Sequence, residues 1–239
     1  MIDPETVTIL APAKLTVSLR IVGVRPDGFH LIDAEMVSVD LADELAIAEG
    51  DGLEVIGATG LAVPADDDNL VRRALRLVDR RAHVRLTKHI PAGAGLGGGS
   101  ADAAAILHWA SYADPGGAAT LGADVPFCLA GGRARVTGIG EVLEPLPVID
   151  RTFTLVTPPF GCSTPAVFRA WDELGGPRSA GPNDLEAAAM VVEPRLAGWR
   201  DELFEATGVP PVLAGSGSTW FVPGAFPAAG VVVRTTARR

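Results

Sequence analysis

The residues with the clearest chemical meaning run Pro91-Ala92-Gly93-Ala94-Gly95-Leu96-Gly97-Gly98-Gly99-Ser100-Ala101-Asp102. Five glycines fall within the seven residues 93–99, and an alanine-rich segment that reads as a helix follows directly. Glycine lets the backbone adopt positive φ and approach a ligand with no Cβ in the way. The N–H groups that open the next helix have no intrahelical partner and aim partial positive charge at whatever precedes them. The stretch therefore reads as an anion cradle whose natural occupant is a phosphate chain. Two distant residues could bring reaction chemistry to it. Lys14 stands among apolar neighbours in a strand-like run, where a lysine needs a solvated edge or an anionic partner. Asp124 follows Gly122 at a turn, where a carboxylate either caps the chain or serves as a general base.

Spacing separates the phosphate loops that look like this. A Walker loop needs a lysine before its Ser or Thr, and none stands before Ser100. A dinucleotide fingerprint fits Gly93, Gly95 and Gly98 after the strand-like run 84–90, but no strand ending in an acidic residue follows at the required distance. A flexible linker would not open on proline after a strand and close on a helix.

A third loop fits better. Pro91, Gly95, Leu96, Gly97 and Ser100 match in register the Pro-x-x-x-Gly-Leu-Gly-x-x-Ser signature of the GHMP kinases, so the loop resembles theirs. Ala11-Pro12-Ala13-Lys14-Leu15 resembles the first motif of that family and Ala214-Gly215-Ser216-Gly217-Ser218 its third, in the family's order. Arg25-Pro26-Asp27-Gly28-Phe29-His30, Asp68-Asn69-Leu70-Val71, Gly122-Ala123-Asp124-Val125-Pro126-Phe127 and Asn183-Asp184-Leu185-Glu186 are similar to blocks of the branch that phosphorylates the 2-hydroxyl of CDP-methylerythritol on the non-mevalonate route to isoprenoid precursors.

The resemblance implies an α+β, two-lobed fold: an N-terminal lobe like ribosomal protein S5 domain 2 over residues 1–150, carrying the phosphate loop, and a C-terminal α/β sandwich lobe over 151–239. It implies ATP as phosphoryl donor and CDP-methylerythritol as acceptor. Asp124 would be the general base, and Lys14 would offset charge on the attacking oxygen and the transferring phosphoryl group. The backbone from Pro91, Ala92, Gly93, Ala94 and Gly95 through Leu96, Gly97, Gly98, Gly99, Ser100 and Ala101 would cradle the ATP phosphates. Capping, phosphate contact and help with Mg²⁺ are all open to the Ser100 hydroxyl. No carboxylate metal site is visible, so Mg²⁺ is expected to arrive with ATP, held by phosphates and water. Phe29 or His30 on one side and Phe168 on the other would hold the cytosine. Thr16, Gly215, Ser216 and Gly217 would touch substrate, the last three as a backbone nest. The family's amide after Lys-Leu is replaced by Thr16, which reaches less far. The interval from Ser100 to Asp124 is shorter than the family's usual spacing, with Asp114-Pro115-Gly116-Gly117 standing where a helix is expected. Another GHMP kinase acting on a sugar, homoserine or mevalonate-type alcohol is the first alternative, and a non-catalytic nucleotide-binding relative the second.

Composition sets the surroundings. At 239 residues the chain can bury a substantial core, and with 48% hydrophobic but 5% aromatic residues that core must be built of small aliphatic side chains. A net charge of −9 with no basic stripe argues against a nucleic-acid surface. Cys128 and Cys162 have neither redox nor zinc spacing and read as reduced thiols. No run is long and apolar enough for a bilayer, and residues 1–5 are not the basic start of a signal peptide, so a cytoplasmic monomer or weak homodimer is expected. His83, His89 and His108 have no metal-ligand spacing. Strands are predicted over 7–10, 14–22, 35–39, 84–90, 152–157 and 230–234, with a hairpin turning at 137–140. A glycine-serine turn is predicted between strands 212–214 and 219–222. Helices are predicted over 69–81, 100–112, 165–174, 183–192 and 194–206.

Overall fold

A computed structural model describes residues 6–57 and 62–237, so the N-terminal segment read against a signal peptide lies outside the described residues. The chain opens on two long antiparallel strands, β1 (Val7–Val24) and β2 (His30–Ala48). The runs expected over 7–10 and 14–22 are thus one strand, and the run expected over 35–39 lies within the second. They stay paired because the register slips between Pro12 and Lys14, Thr16 and Ser18, and Ile21 and Gly23. Such slips bend a strand and re-aim its side chains, and the first two bracket Lys14 and Thr16.

β1 covers one edge of β2. The other edge is shared by β4 (His83–Thr87) and β5 (Arg133–Gly138), and β3 (Gly52–Ile56) and β6 (Val142–Pro145) extend the sheet outward from them. The hairpin expected at 137–140 joins β5 to β6. Helix α1 (Leu70–Leu77) is capped by Asn69, whose side chain accepts from the Val71 N–H at 2.9 Å. Helix α2 (Gly98–Trp109) is buried on most sides, so its alanines allow close approach of its neighbours. The Asp114 segment forms a short helix after all, α3 (Pro115–Ala119), with the Asp114 carboxylate accepting from Gly116 and Gly117 at 3.0 Å. Helix α4 (Val125–Ala130) follows Asp124.

A second, antiparallel sheet has the order β10 (Val231–Arg234), β7 (Thr152–Val156), β9 (Trp220–Pro223), β8 (Val212–Leu213). Helices α5 (Thr164–Glu173), α6 (Glu186–Val192) and α7 (Leu196–Thr207) lie between β7 and β8 in sequence. One apolar cluster joins Leu19, Met36, Phe127 and Val136 of the first part of the chain to Val167, Trp171, Leu185 and Trp220 of the second. Another packs Ala94 and Leu96 of the glycine loop with Leu15, Val37, Phe153 and Phe221. The loop is therefore pinned by two apolar side chains in a core shared by both sheets, and its glycines face outward from those anchors.

Candidate active site

Strand β1 delivers Lys14 to the glycine loop. The Lys14 backbone N–H donates to the Leu96 carbonyl at 3.0 Å, and a Cβ on Gly97 would lie 2.7 Å from Lys14 Cγ. Gly97 has φ +68°, so position 97 demands glycine for backbone conformation and for space alike. The Lys14 ammonium, almost fully buried, donates to Thr16 Oγ1 at 3.1 Å and pairs with Asp124 Oδ2 at 3.1 Å. Thr16, itself buried, orients the lysine where the sequence suggested substrate contact.

Asp124 occupies the N-cap position of α4 but makes no capping bond. Its carboxylate is turned instead to Lys14, and about a third of the side chain is left open to the cavity (32% exposed). Ser100 does not cap α2 either. The cap is Gly97, no side chain caps the helix, and the opening N–H groups face the loop unshielded.

The third motif completes this corner. A Cβ on Gly95, whose φ is +78°, would stand 2.7 Å from the carbonyl oxygens of both Ala214 and Gly217. The two glycine turns are in backbone contact and tolerate no side chain between them. Gly215 lies against Thr16 and Lys14, and the buried Asn183 side chain donates to the carbonyls of Leu213 at 2.9 Å and Gly215 at 2.7 Å. Asn183 was singled out in the sequence without a role, and here it holds the turn.

Two cavities share the glycine loop beside the pair. One, of about 550 Å³, runs along the whole glycine loop from Pro91 through Ala92, Gly93, Gly98 and Gly99 to Ser100, and is walled by residues 63–70 and by Lys88 and Asp102. The other, of about 570 Å³, contains Lys14, Thr16, Asp124, Gly215 and Ser216 at one end and Phe29, His30, Phe168, Arg169 and Asp172 at the other. Gly95, Gly97 and Ser100 line both. At the far end His30 packs on Phe168 with ring centroids 4.8 Å apart and donates from Nε2 to Asp172 Oδ1 at 2.8 Å. Rings that close leave no room for another planar group between them, and exposed Phe29 lines the same cavity. Gly217 and Ala101 are the two expected site residues that line neither this cavity nor the loop cavity.

Beneath the loop lies a group the sequence reading missed. The Lys88 ammonium pairs with Asp43 Oδ2 and, at 2.7 Å, with Asp102 Oδ2, all three side chains being at most 4% exposed. The other Asp43 oxygen accepts the N–H groups of His89 at 2.6 Å and Ile90 at 2.8 Å. The other Asp102 oxygen is buried with no hydrogen-bond partner. Burial, with Asp43 close by and against the pull of Lys88, pushes the Asp102 carboxyl up to about 7. Burial also raises both thiols, Cys162 to about 11 and Cys128 further, and neither is in a disulfide.

A phosphate cradle opening onto a Lys–Asp pair, with a second cavity beyond it, defines a small-molecule kinase of the GHMP class. The model of the family described as GHMP kinases N terminal domain matches residues 69–132, from the cap of α1 to the end of α4. A 4-diphosphocytidyl-2-C-methyl-D-erythritol kinase of Paracoccus denitrificans (strain Pd 1222) is 41% identical, the match covering 88% of this chain and 84% of the relative. One of Paramagnetospirillum magneticum (strain ATCC 700264 / AMB-1) is 39% identical over 90% of this chain and 87% of its own. A crystal structure of 4-(cytidine 5'-diphospho)-2C-methyl-D-erythritol kinase superposes with a TM-score of 0.77 at 32% identity, covering 96% of this chain and 98% of that one. The chain belongs to the 4-diphosphocytidyl-2-C-methyl-D-erythritol kinase family.

Proposed function

We propose that this chain transfers the γ-phosphoryl group of ATP to the 2-hydroxyl of CDP-methylerythritol, with Asp124 as general base and Lys14 beside it. The observation that carries the roles is the Lys14–Asp124 pair, 3.1 Å apart, in the second cavity, with Lys14 against Gly97, one of the loop residues that line both cavities. ATP laid along the glycine loop puts its phosphates on the unshielded N–H groups of α2, and an alcohol in the second cavity meets them at Asp124. The carboxylate accepts the hydroxyl proton as the oxygen attacks phosphorus, and Lys14 offsets the negative charge that spreads over the phosphoryl oxygens. Thr16 keeps the ammonium aimed at Asp124.

Mg²⁺ fits this site as a companion of the nucleotide. Asp124 is engaged by Lys14 and Asp102 by Lys88, and among the described residues no three His, Cys, Asp or Glu side chains converge on one point. Phosphates and water would hold the ion, and when bound it would supply positive charge near the transferring group. The cytosine stacks between Phe29 and Phe168, near His30. The lobes 1–150 and 151–239 form one reaction path between them, and two free thiols suit a reducing compartment such as the cytoplasm.

The test is ATP-dependent ADP release by the purified protein with Mg²⁺ and CDP-methylerythritol, beside galactose, homoserine and mevalonate. Turnover with the CDP compound alone supports the reading. ATP binding without turnover of any of the four alcohols overturns it.

A further inference from the structure

We propose that Arg169 receives the diphosphate of the cytidylyl substrate, so that the second cavity selects a nucleoside diphosphate ester by charge as well as by its base. This rests on the kinase reading above. Five charged or titratable side chains line the cavity: Lys14, His30, Asp124, Arg169 and Asp172. Four of them are matched, Lys14 with Asp124 at 3.1 Å and His30 with Asp172 at 2.8 Å. Arg169 is left over, with no ion pair or hydrogen bond among the described residues. Asp172 lies one turn further along the same helix face and would be its ordinary partner, but that carboxylate is spent on His30.

Helix geometry explains why Arg169 stands on the cavity wall. Pro165, Phe168, Arg169 and Asp172 follow the i, i+3, i+4, i+7 spacing of one face of α5, and all four line the cavity. The opposite face is locked, with Val167, Ala170 and Trp171 buried and the Trp171 indole donating to the Pro177 carbonyl at 3.0 Å. The N-terminal end of α5 is tied to the reacting end of the cavity through Thr164 and Ser216, whose hydroxyl oxygens are 2.8 Å apart. Phe168 marks the base end. The part of the substrate that carries two negative charges leaves the base end, where Arg169 is next to Phe168 on the cavity wall, and runs toward the Asp124 carboxylate. A guanidinium held on a fixed helix offers it paired, charge-assisted hydrogen bonds.

The experiment compares binding of CDP and of cytidine by calorimetry, with ADP present to fill the glycine loop, in the wild type, Arg169→Ala and Arg169→Lys. In the wild type CDP is expected to bind about tenfold or more tighter than cytidine, the worth of one hydrogen bond to a charged group. Arg169→Ala should erase most of that ratio and leave cytidine alone, and Arg169→Lys should restore part of it. The KM for CDP-methylerythritol should rise by the same factor, with kcat and the KM for ATP within about twofold. If the CDP-to-cytidine ratio is the same in wild type and Arg169→Ala, the proposal falls even where the wild type turns over its substrate. Equal loss of CDP and cytidine would reduce Arg169 to a wall of the base pocket, and a selective rise in the KM for ATP would move it to the donor; both overturn the proposal. A wild type that phosphorylates no CDP-linked alcohol sinks the kinase reading instead, and the binding ratio still decides for or against Arg169.

Discussion

Two lysines touch adjacent glycines of the same loop and serve it in opposite ways. Lys14 lies against Gly97 and pairs with Asp124, whose side chain is a third open to the cavity. Lys88 lies under Gly98, its ammonium 3.1 Å from where a Cβ there would stand, and pairs with two carboxylates that are at most 4% exposed. An ion pair with an open carboxylate can take a proton from a bound alcohol. A sealed one cannot exchange with substrate, but it fixes whatever it is bonded to, because any rearrangement would strand a charge in a medium that solvates it poorly. Through Asp43 the sealed group holds the entrance of the loop at His89 and Ile90, and through Asp102 it holds the first turn of α2. The same residue types thus give reactivity where one partner is open and preorganisation where neither is.

Substitutions on the two sides should separate these roles. Asp124→Asn is expected to lower kcat by about 10²–10⁴-fold, the usual range for loss of a general base. Its KM for ATP and its denaturation midpoint should stay near wild type, since the side chain is partly solvated and makes no capping bond. Retained turnover in that variant would remove Asp124 from its role. Lys88→Met should do the reverse. It strands two buried carboxylates, so the unfolding free energy should drop by about 3–5 kcal/mol in urea titration. Wild-type stability would mean that the loop is held by Ala94 and Leu96 packing alone.

How far these roles could be read from the chain depended on whether their causes were local. The helix that follows the glycine loop, the helix after Asn69 and the hairpin near 137–140 follow from residues acting within a few positions, and all three elements are present. The family implied by three motifs is the family the relatives show. What was misjudged was decided at a distance. The strand expected over 84–90 ends at Thr87 because the Asp43 carboxylate takes the N–H groups of His89 and Ile90. The helix expected from 183 begins at Glu186, since Asn183 is spent on the third motif and Asp184 on Arg20 and the Ile21 N–H. β1 runs through Pro12, which local propensity argued against, because a register slip follows it. Helix α4 is six residues long with proline in its first turn, too short to announce itself by periodicity. The buried trio draws on residues 43, 88 and 102, which no spacing rule connects.

Two finer substitutions sharpen the contrast. Thr16→Val removes the acceptor that steadies the Lys14 ammonium while keeping the volume, and kcat should fall about three- to tenfold, in keeping with one hydrogen bond, with the KM for ATP unchanged. An equal fall in ATP affinity would show that Lys14 belongs to the cradle more than to Asp124.

The smallest expected effect concerns pH, and it belongs only to the sealed side. The Asp102 carboxyl titrates at about 7 in the folded chain, against an unfolded value of about 3.9. An acid whose pKa is raised by folding binds its proton more tightly in the folded state, so its stabilising contribution is full below about pH 4 and is lost as pH rises through about 7. Lys88 is bonded to one Asp102 oxygen, and the other has no hydrogen-bond partner. Asp102→Asn cannot titrate, so the fall in melting temperature between pH 5 and pH 8 should be shallower in the variant than in the wild type, the difference isolating this group from every other carboxylate. Identical slopes would mean that Lys88 keeps Asp102 ionised throughout, and the sealed group would then carry a net negative charge directly under a loop shaped for phosphate.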